Sequence, residues 1–299
     1  MVDTIKDKLY NEFASLAIES REKLRDRINE IKTEDVNKQI IEGYFAEYRK
    51  DIKNTGEVPT TTIKVVSLND LHVPYHNKVM VNKLIDFLKQ EQPDQIILKG
   101  DMVDFYDLSS FDKNPLREGR LQEELDILQG ILRKMRKACP DAKMIYIMGN
   151  HEDRLRRYLW KNAKALHSLR ALSFEELLQL KKLRIELVET SYMLNGFEFS
   201  HGEVVRAYGS YSAKAEYDRR NASGCSGHTH RMGSYCKTTK NGTFGWWEDG
   251  CACDLNPEYI KGTPDWQNGF NVIYFDDNAF DVHQVYVNKG KFRFNGKKY

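Results

Sequence analysis

From Ile63 onward one arrangement recurs: a short apolar run, a polar cluster at its end, then a helical stretch. The runs IKVVSL, QIILKG and MIYIMG are strand-length and apolar, and residues 78–91, 119–137 and 151–166 between or after them carry helical patterning. Such alternation stacks helices on a sheet and restricts this segment to an α/β layered core. From about residue 184 the chain changes to short strands with few helices: RIELVE, YMLNGFEFS, GTFGWWE, FNVIYF and DVHQVYV. A second, largely antiparallel sheet facing the first is expected, making a two-sheet β-sandwich core flanked by helices. Trp246 and Trp247 alternate faces on such a strand, so one is expected in the core and the other exposed.

The first 55 residues follow a different rule. They hold no Pro and one Gly, with an apolar stripe through Leu9, Phe13, Leu16, Leu24, Ile28 and Ile31 and a second helical stretch from Thr33 with Val36, Ile40 and Tyr44. An N-terminal helical hairpin is expected, followed by a linker at NTGEVPTT (54–61). The domain reading is therefore residues 1–60 as appendage and linker and residues 61–299 as the main domain. A long amphipathic helix with balanced charges suits a helix–helix seam, so a homodimer through these helices is the favoured reading over an intramolecular brace.

Composition narrows the function classes. The chain has 299 residues, 40% of them hydrophobic, enough to bury a full core. With 46 Lys+Arg against 44 Asp+Glu the net charge is +2, so no global positive field would hold a polyanion and only a local patch can. No apolar run approaches the ~20 residues of a membrane span, and MVDTIKDKLYNEF lacks a signal peptide's apolar stretch; a cytoplasmic protein without membrane partners is expected. The five cysteines include no C-x-x-C pair and read as reduced thiols. Cys251 and Cys253 have the alternation to clamp a soft metal, although small buried hydrophobes are the commoner use.

The chemistry lies in five clusters. Asn69-Asp70-Leu71-His72, Gly100-Asp101-Met102-Val103-Asp104 and Gly149-Asn150-His151-Glu152 each follow one of the first three apolar runs, and Ser200-His201-Gly202 and Gly227-His228-Thr229-His230 come later. Five of the eight histidines sit here, at strand ends, where α/β sheets build ligand sites. Carboxylate, imidazole and amide oxygen form a mixed donor set suited to Mn, Fe, Zn or similar divalent ions rather than calcium. Burying such groups unpaired is costly, and two close cations sharing a bridging carboxylate relieve that cost, activate water and polarise a phosphoryl oxygen.

The ordered set D-x-H, G-D-x-x-D, G-N-H-E, S-H-G and G-H-T-H resembles the calcineurin-like metallophosphoesterase superfamily over roughly residues 63–285. The resemblance implies two divalent metal ions, Mn favoured with Fe, Zn, Ni or Co as alternatives. It implies that Asp70, His72 and His230 hold one ion, that Asn150, His201 and His228 hold the other, and that Asp101 bridges both. His151 would be the general acid for the leaving oxygen and Asp104 the residue orienting it. Histidine titrates near working pH, which fits that role.

Phe105-Tyr106 follow Asp104 where the superfamily's protein serine/threonine phosphatases carry Arg-Gly, which lowers a protein phosphatase reading. Arg154, one turn beyond His151, is the candidate to grip a substrate phosphate. The tract 105–120 is long for a connecting loop, and Phe105, Tyr106, Phe111, Arg117 and Arg120 have the chemistry to hold a nucleotide. The expectation is a metal-dependent phosphoesterase with a phosphodiester substrate, nucleic acid or nucleotide. Phosphomonoester hydrolysis is the alternative, and a non-catalytic partner-binding module on the same fold the remoter one.

Overall fold

The structure is a computed structural model, and it describes residues 62–110, 121–240, 242–257, 262–276 and 279–299. The expected N-terminal hairpin and linker, and Phe111, Arg117 and Arg120, lie outside these residues. Ile63–Tyr299 form one compact unit.

The first sheet is built on three parallel strands, β1 (Ile63–Leu68), β2 (Gln95–Lys99) and β3 (Lys143–Ile147). Helix α1 (Lys78–Glu91) connects the first two and α2 (Leu121–Ala138) the next two. Asn77 starts α1, its side chain accepting the Met80 amide at 3.0 Å. Alternate residues feed two cores. Val66, Ile96, Leu98 and Met144 face the helices with Leu84, Phe87, Leu128 and Leu132, whereas Val65, Ile97, Ile145 and Ile147 face the second sheet. Burial on both faces explains why these strands are apolar throughout.

Helix α3 (Asp153–Asn162) and the short α4 (Phe174–Leu177) lead to β4 (Ile185–Val188), which pairs parallel to β3. Then follow β5 (Ser191–Leu194), β6 (Phe197–Ser200), helix α5 (Tyr211–Arg220), β7 (Ser223–Ser226), β8 (Met232–Thr239) and β9 (Gly242–Asp249). The remaining strands are β10 (Gly269–Phe275), β11 (Phe280–Tyr286), β12 (Arg293–Phe294) and β13 (Lys297–Lys298). The strand orders are β11-β10-β1-β2-β3-β4 and β5-β6-β7-β9-β8, with a small β12-β13 hairpin.

The sandwich matches the expectation, with two corrections. RIELVE, FNVIYF and DVHQVYV extend the edges of the first sheet instead of entering the second. The second sheet is mixed, since β6, β7 and β9 run parallel; α5 carries the chain from β6 back to the start of β7, the crossover that parallel pairing requires. Both faces of this sheet are covered. Trp246 is fully buried among Ala213 and Tyr217 of α5, and Trp247 is half-buried, stacked on Phe197 at 5.9 Å, so neither is an exposed indole. Among the described residues no helix is long and apolar enough to cross a membrane.

Candidate metal centre

The segments that leave β1 and β2 run side by side: the Asp70 amide donates to the Gly100 carbonyl at 3.0 Å and the His72 amide to the Asp101 carbonyl at 2.9 Å. Gly100, at φ +79°, sits so close to the β3 tip that a Cβ there would lie 2.5 Å from the Gly149 amide nitrogen. Asp70, His72, Asp101, His228 and His230 all hold left-handed backbone, with φ of 52°, 47°, 50°, 68° and 58°. Non-glycine residues rarely adopt this conformation, and it costs roughly 1–2 kcal/mol per residue.

Glu152 locks the second and third tips together. Its buried carboxylate accepts the amides of Asp101 at 2.9 Å, Met102 at 2.8 Å and Gly149 at 2.8 Å, and the Tyr146 hydroxyl at 2.7 Å. One oxygen of each central carboxylate is likewise fixed by the chain. Asp101 Oδ1 accepts the His151 amide at 2.9 Å, while Asp70 Oδ2 accepts the His228 amide at 2.9 Å and the Asn69 side chain.

The other oxygen of each faces imidazoles. Asp70 Oδ1 lies 3.3 Å from His230 Nε2 and 3.6 Å from His72 Nε2, and it is buried without a hydrogen-bond partner. Asp101 Oδ2 lies 3.3, 3.6 and 3.9 Å from the Nε2 atoms of His201, His151 and His72. Asn150 Oδ1 is 3.1 Å from His201 Nε2, and the Nε2 atoms of His72 and His230 are 3.0 Å apart. The structure thus brings all seven sequence-selected ligand candidates to one place. Asp70, His72 and His230 form one cluster, and Asp101, His201 and His228 another, with donor atoms within 4.8 Å of one another inside each. Asp101 joins the two through His72.

These donors fit divalent cations. His201 Nδ1 faces the Lys99 carbonyl at 2.8 Å and His72 Nδ1 faces Asp104 Oδ1 at 3.4 Å, which leaves Nε2 of each aimed inward, as outer-shell partners do for metal-bound histidines. Burial disfavours charge on every group here, yet the histidines hold Asp70 and Asp101 well below the usual carboxylate range. Burial alone would lower His201 and His72, but the carboxylates push His201 up to about 9 and His72 well above its ordinary value. Burial lowers His228 and His230. Cations binding here would compete with protons for His72 and His201.

His151 stands beside it, its ring centroid 4.5 Å from that of His72. Its Nδ1 lies 3.1 Å from Asp104 Oδ1 and 2.9 Å from the Asp104 carbonyl, and its Nε2 faces Arg154 Nη2 at 2.8 Å. Guanidinium only donates, so Nε2 is the acceptor and Nδ1 carries the proton given to Asp104. Arg154 also donates to the Asp104 carbonyl at 2.8 Å. In this state Arg154 is engaged with the catalytic candidates themselves.

Several participants escaped the sequence reading. Glu152 was visible in its cluster, but an acid before a helix reads as a solvated cap. Trp266 lies edge-on to His230, ring centroids 4.3 Å apart, without any motif to mark it. Lys99 is fully buried and paired with Asp249, which also accepts Ser67 Oγ at 2.7 Å and Asn271 Nδ2 at 2.6 Å; a lysine inside an apolar run was the available signal. Of the loop aromatics, Phe105 packs into the core against Phe174 at 6.2 Å and is not available to a nucleotide.

Phe105 also gives a pH prediction. Its amide donates to Glu124 Oε2 at 2.8 Å, and burial pushes the Glu124 carboxyl up from 4.5 to about 8. A carboxyl whose folded pKa is raised stabilises the fold at low pH and loses that contribution as pH rises through the interval from 4.5 to about 8. Glu124→Gln keeps an acceptor for Phe105 without the titration. Urea denaturation should therefore find the variant more stable than wild type at pH 8 and similar at pH 4; parallel pH dependences of the two proteins would refute this.

The sequence model of a family described as calcineurin-like phosphoesterase matches residues 63–286. The chain is 27% identical to the Gene 54 protein of Mycobacterium phage D29 over 253 residues, covering 78% of this chain and 97% of that protein. Solved structures similar to it include Vps29 of Chaetomium thermophilum, with 13% identity, 79% of this chain and 90% of that chain covered, and a TM-score of 0.41. The phosphoesterase Yfce of E. coli also matches, with 13% identity, coverage of 76% and 100%, and a TM-score of 0.35.

Proposed function

Since this chain belongs to the calcineurin-like phosphoesterase family, we propose that it is a dinuclear metal-dependent phosphodiesterase acting on nucleic acid or a nucleotide. The observation that carries the reading is the pair of buried carboxylate oxygens, Asp70 Oδ1 and Asp101 Oδ2, ringed by imidazole Nε2 atoms at 3.3–3.9 Å. Asp70, His72 and His230 would hold one ion and Asn150, His201 and His228 the other, with Asp101 shared. Bound divalent ions, Mn favoured, supply Lewis acidity toward the phosphoryl oxygens and lower the pKa of water.

The chain's own groups do the rest. Asp104 holds the His151 ring by Nδ1 and so presents Nε2 to the leaving oxygen. Arg154 occupies that nitrogen at rest, and a substrate phosphate offers the guanidinium a better, bidentate acceptor. Moving Arg154 onto the phosphate frees Nε2 to take up a proton from solvent and pass it to the departing alkoxide. Substrate binding and readiness of the acid are thereby coupled. A diester is favoured over a phosphoprotein by the absence of the Arg-Gly pair after Asp104. Tyr208 and Tyr211, exposed and 5.7 Å apart between His201 and the G-H-T-H cluster in sequence, add stacking surfaces suited to bases.

The test is an assay of the full chain with Mn2+ on bis-para-nitrophenyl phosphate and para-nitrophenyl phosphate. Faster diester hydrolysis, lost on chelation and restored by Mn2+, is expected. A preference for the monoester would replace the diesterase reading, and silence toward both across Mn2+, Zn2+, Ni2+ and Co2+ would reduce the centre to a binding module.

A further inference from the structure

The motif Gly250-Cys251-Ala252-Cys253-Asp254 is not used by the proposed reaction, yet it lies directly behind the centre. Cys251 and Cys253 are buried, and Cys253 Sγ is 3.9 Å from His230 Nδ1, the ring nitrogen opposite the one facing Asp70. The two sulfurs and a His230 nitrogen all lie within 4.8 Å of one another. The remaining described cysteines, 139, 225 and 236, belong to no such group among the described residues. We propose that Cys251, Cys253 and His230 Nδ1 form a third cation site, selective for a soft, thiophilic ion such as Cd2+, Cu+ or Zn2+, sharing one imidazole with the dinuclear centre.

Three observations support it. Thiolate sulfur selects soft ions, whereas the carboxylate-rich centre beside it suits harder ones, so the two sites differ in preference. The partners of Cys251 Sγ outside the pair are long contacts, to the Gln267 carbonyl at 3.5 Å and from Asn268 Nδ2 at 3.6 Å. That amide donor stabilises a thiolate once formed. The backbone is also held in place, with Cys251 bridged to Asn268 and Cys253 to His76, and Asn268 Nδ2 donating to the Cys253 carbonyl at 2.7 Å. Such a framework orients ligands before the ion arrives.

Binding exchanges two S–H bonds for two bonds from sulfur to the ion. Where Nε2 of His230 already serves the centre, the Nδ1–H bond is exchanged as well, and all protons leave to solvent. The imidazole then lies between two cations, so filling the thiol site alters the electron density that His230 gives the centre.

The probe is Cd2+, one equivalent added to the Mn-loaded, reduced full chain. An ultraviolet sulfur-to-cadmium charge-transfer band is expected, with an X-ray absorption shell of two sulfurs and nitrogen. Cys251→Ala and Cys253→Ala should each weaken Cd2+ binding at least about 10²-fold, beyond the 10–100-fold typical of outer-shell changes, while Cys236→Ala should leave it unchanged. A wild-type shell holding only nitrogen and oxygen, or a band that persists in the double alanine variant, would overturn the site. The readout is spectroscopic, so an inactive protein in the phosphoesterase assay would leave it intact, and a failed cadmium titration would leave the assay intact.

Discussion

Asp101→Asn is expected to lower phosphoesterase activity by at least about 10³-fold in a protein that folds normally. The substitution keeps an oxygen for the His151 amide, now 2.9 Å from Asp101 Oδ1, and replaces only the oxygen that faces His72, His151 and His201. The amide that replaces it is uncharged and turns donors toward the imidazoles, so the shared ligand is lost while the backbone clamp by Glu152 remains. Cation catalysis is worth several kcal/mol of transition-state stabilisation, and each 1.36 kcal/mol is about a tenfold change in rate. Elemental analysis should find fewer than two ions per chain under saturating Mn2+. A variant that retains both ions and a tenth of the wild-type rate would remove Asp101 from the bridging role.

His151→Ala separates holding cations from moving a proton. The ring meets His72 edge-on but is not one of the seven donors assigned to the ions, so that variant should bind two ions as wild type does. Its rate should fall by about 10²–10⁴, the usual contribution of a general acid. The loss should be large for an alkyl leaving group, which departs as a strong base, and small for nitrophenolate, which needs no proton. Arg154→Lys provides the complementary measurement: a point charge cannot hold the phosphate by two parallel bonds, so KM should rise. Equal losses for both leaving groups in His151→Ala would assign the imidazole to binding instead.

The parts of the fold legible in the sequence are those decided locally. The helix expected at 78–91 is found as Lys78–Glu91 because its apolar spacing and Asn77 cap are written within one segment. The strand tips were legible because Asp, His and Asn after apolar runs have no packing use there. Strand partnership was not legible. Residues Ile185–Val188, Gly269–Phe275 and Phe280–Tyr286 are apolar enough to join either sheet, and their neighbours are set by connections far along the chain. At the site, metal-type donors announced themselves by residue type, whereas Glu152 and Trp266 matter through where the fold brings them. An acid that ties three backbone amides has the same sequence appearance as one that faces water.

The left-handed backbone at Asp70, His72, Asp101, His228 and His230 gives this protein a particular evolutionary exposure. At each of these positions glycine would relax the backbone, so five of the seven donor candidates are held against a conformational cost. On the proposed reading, selection for metal binding is what keeps them. In a lineage released from that selection, mutations at these sites would spread as stabilising changes instead of neutral ones, and the centre would erode faster than the sandwich around it. Return would require several destabilising steps in succession before any activity reappeared. On that reading the loss of one of the five in a descendant would mark a departure that is hard to reverse.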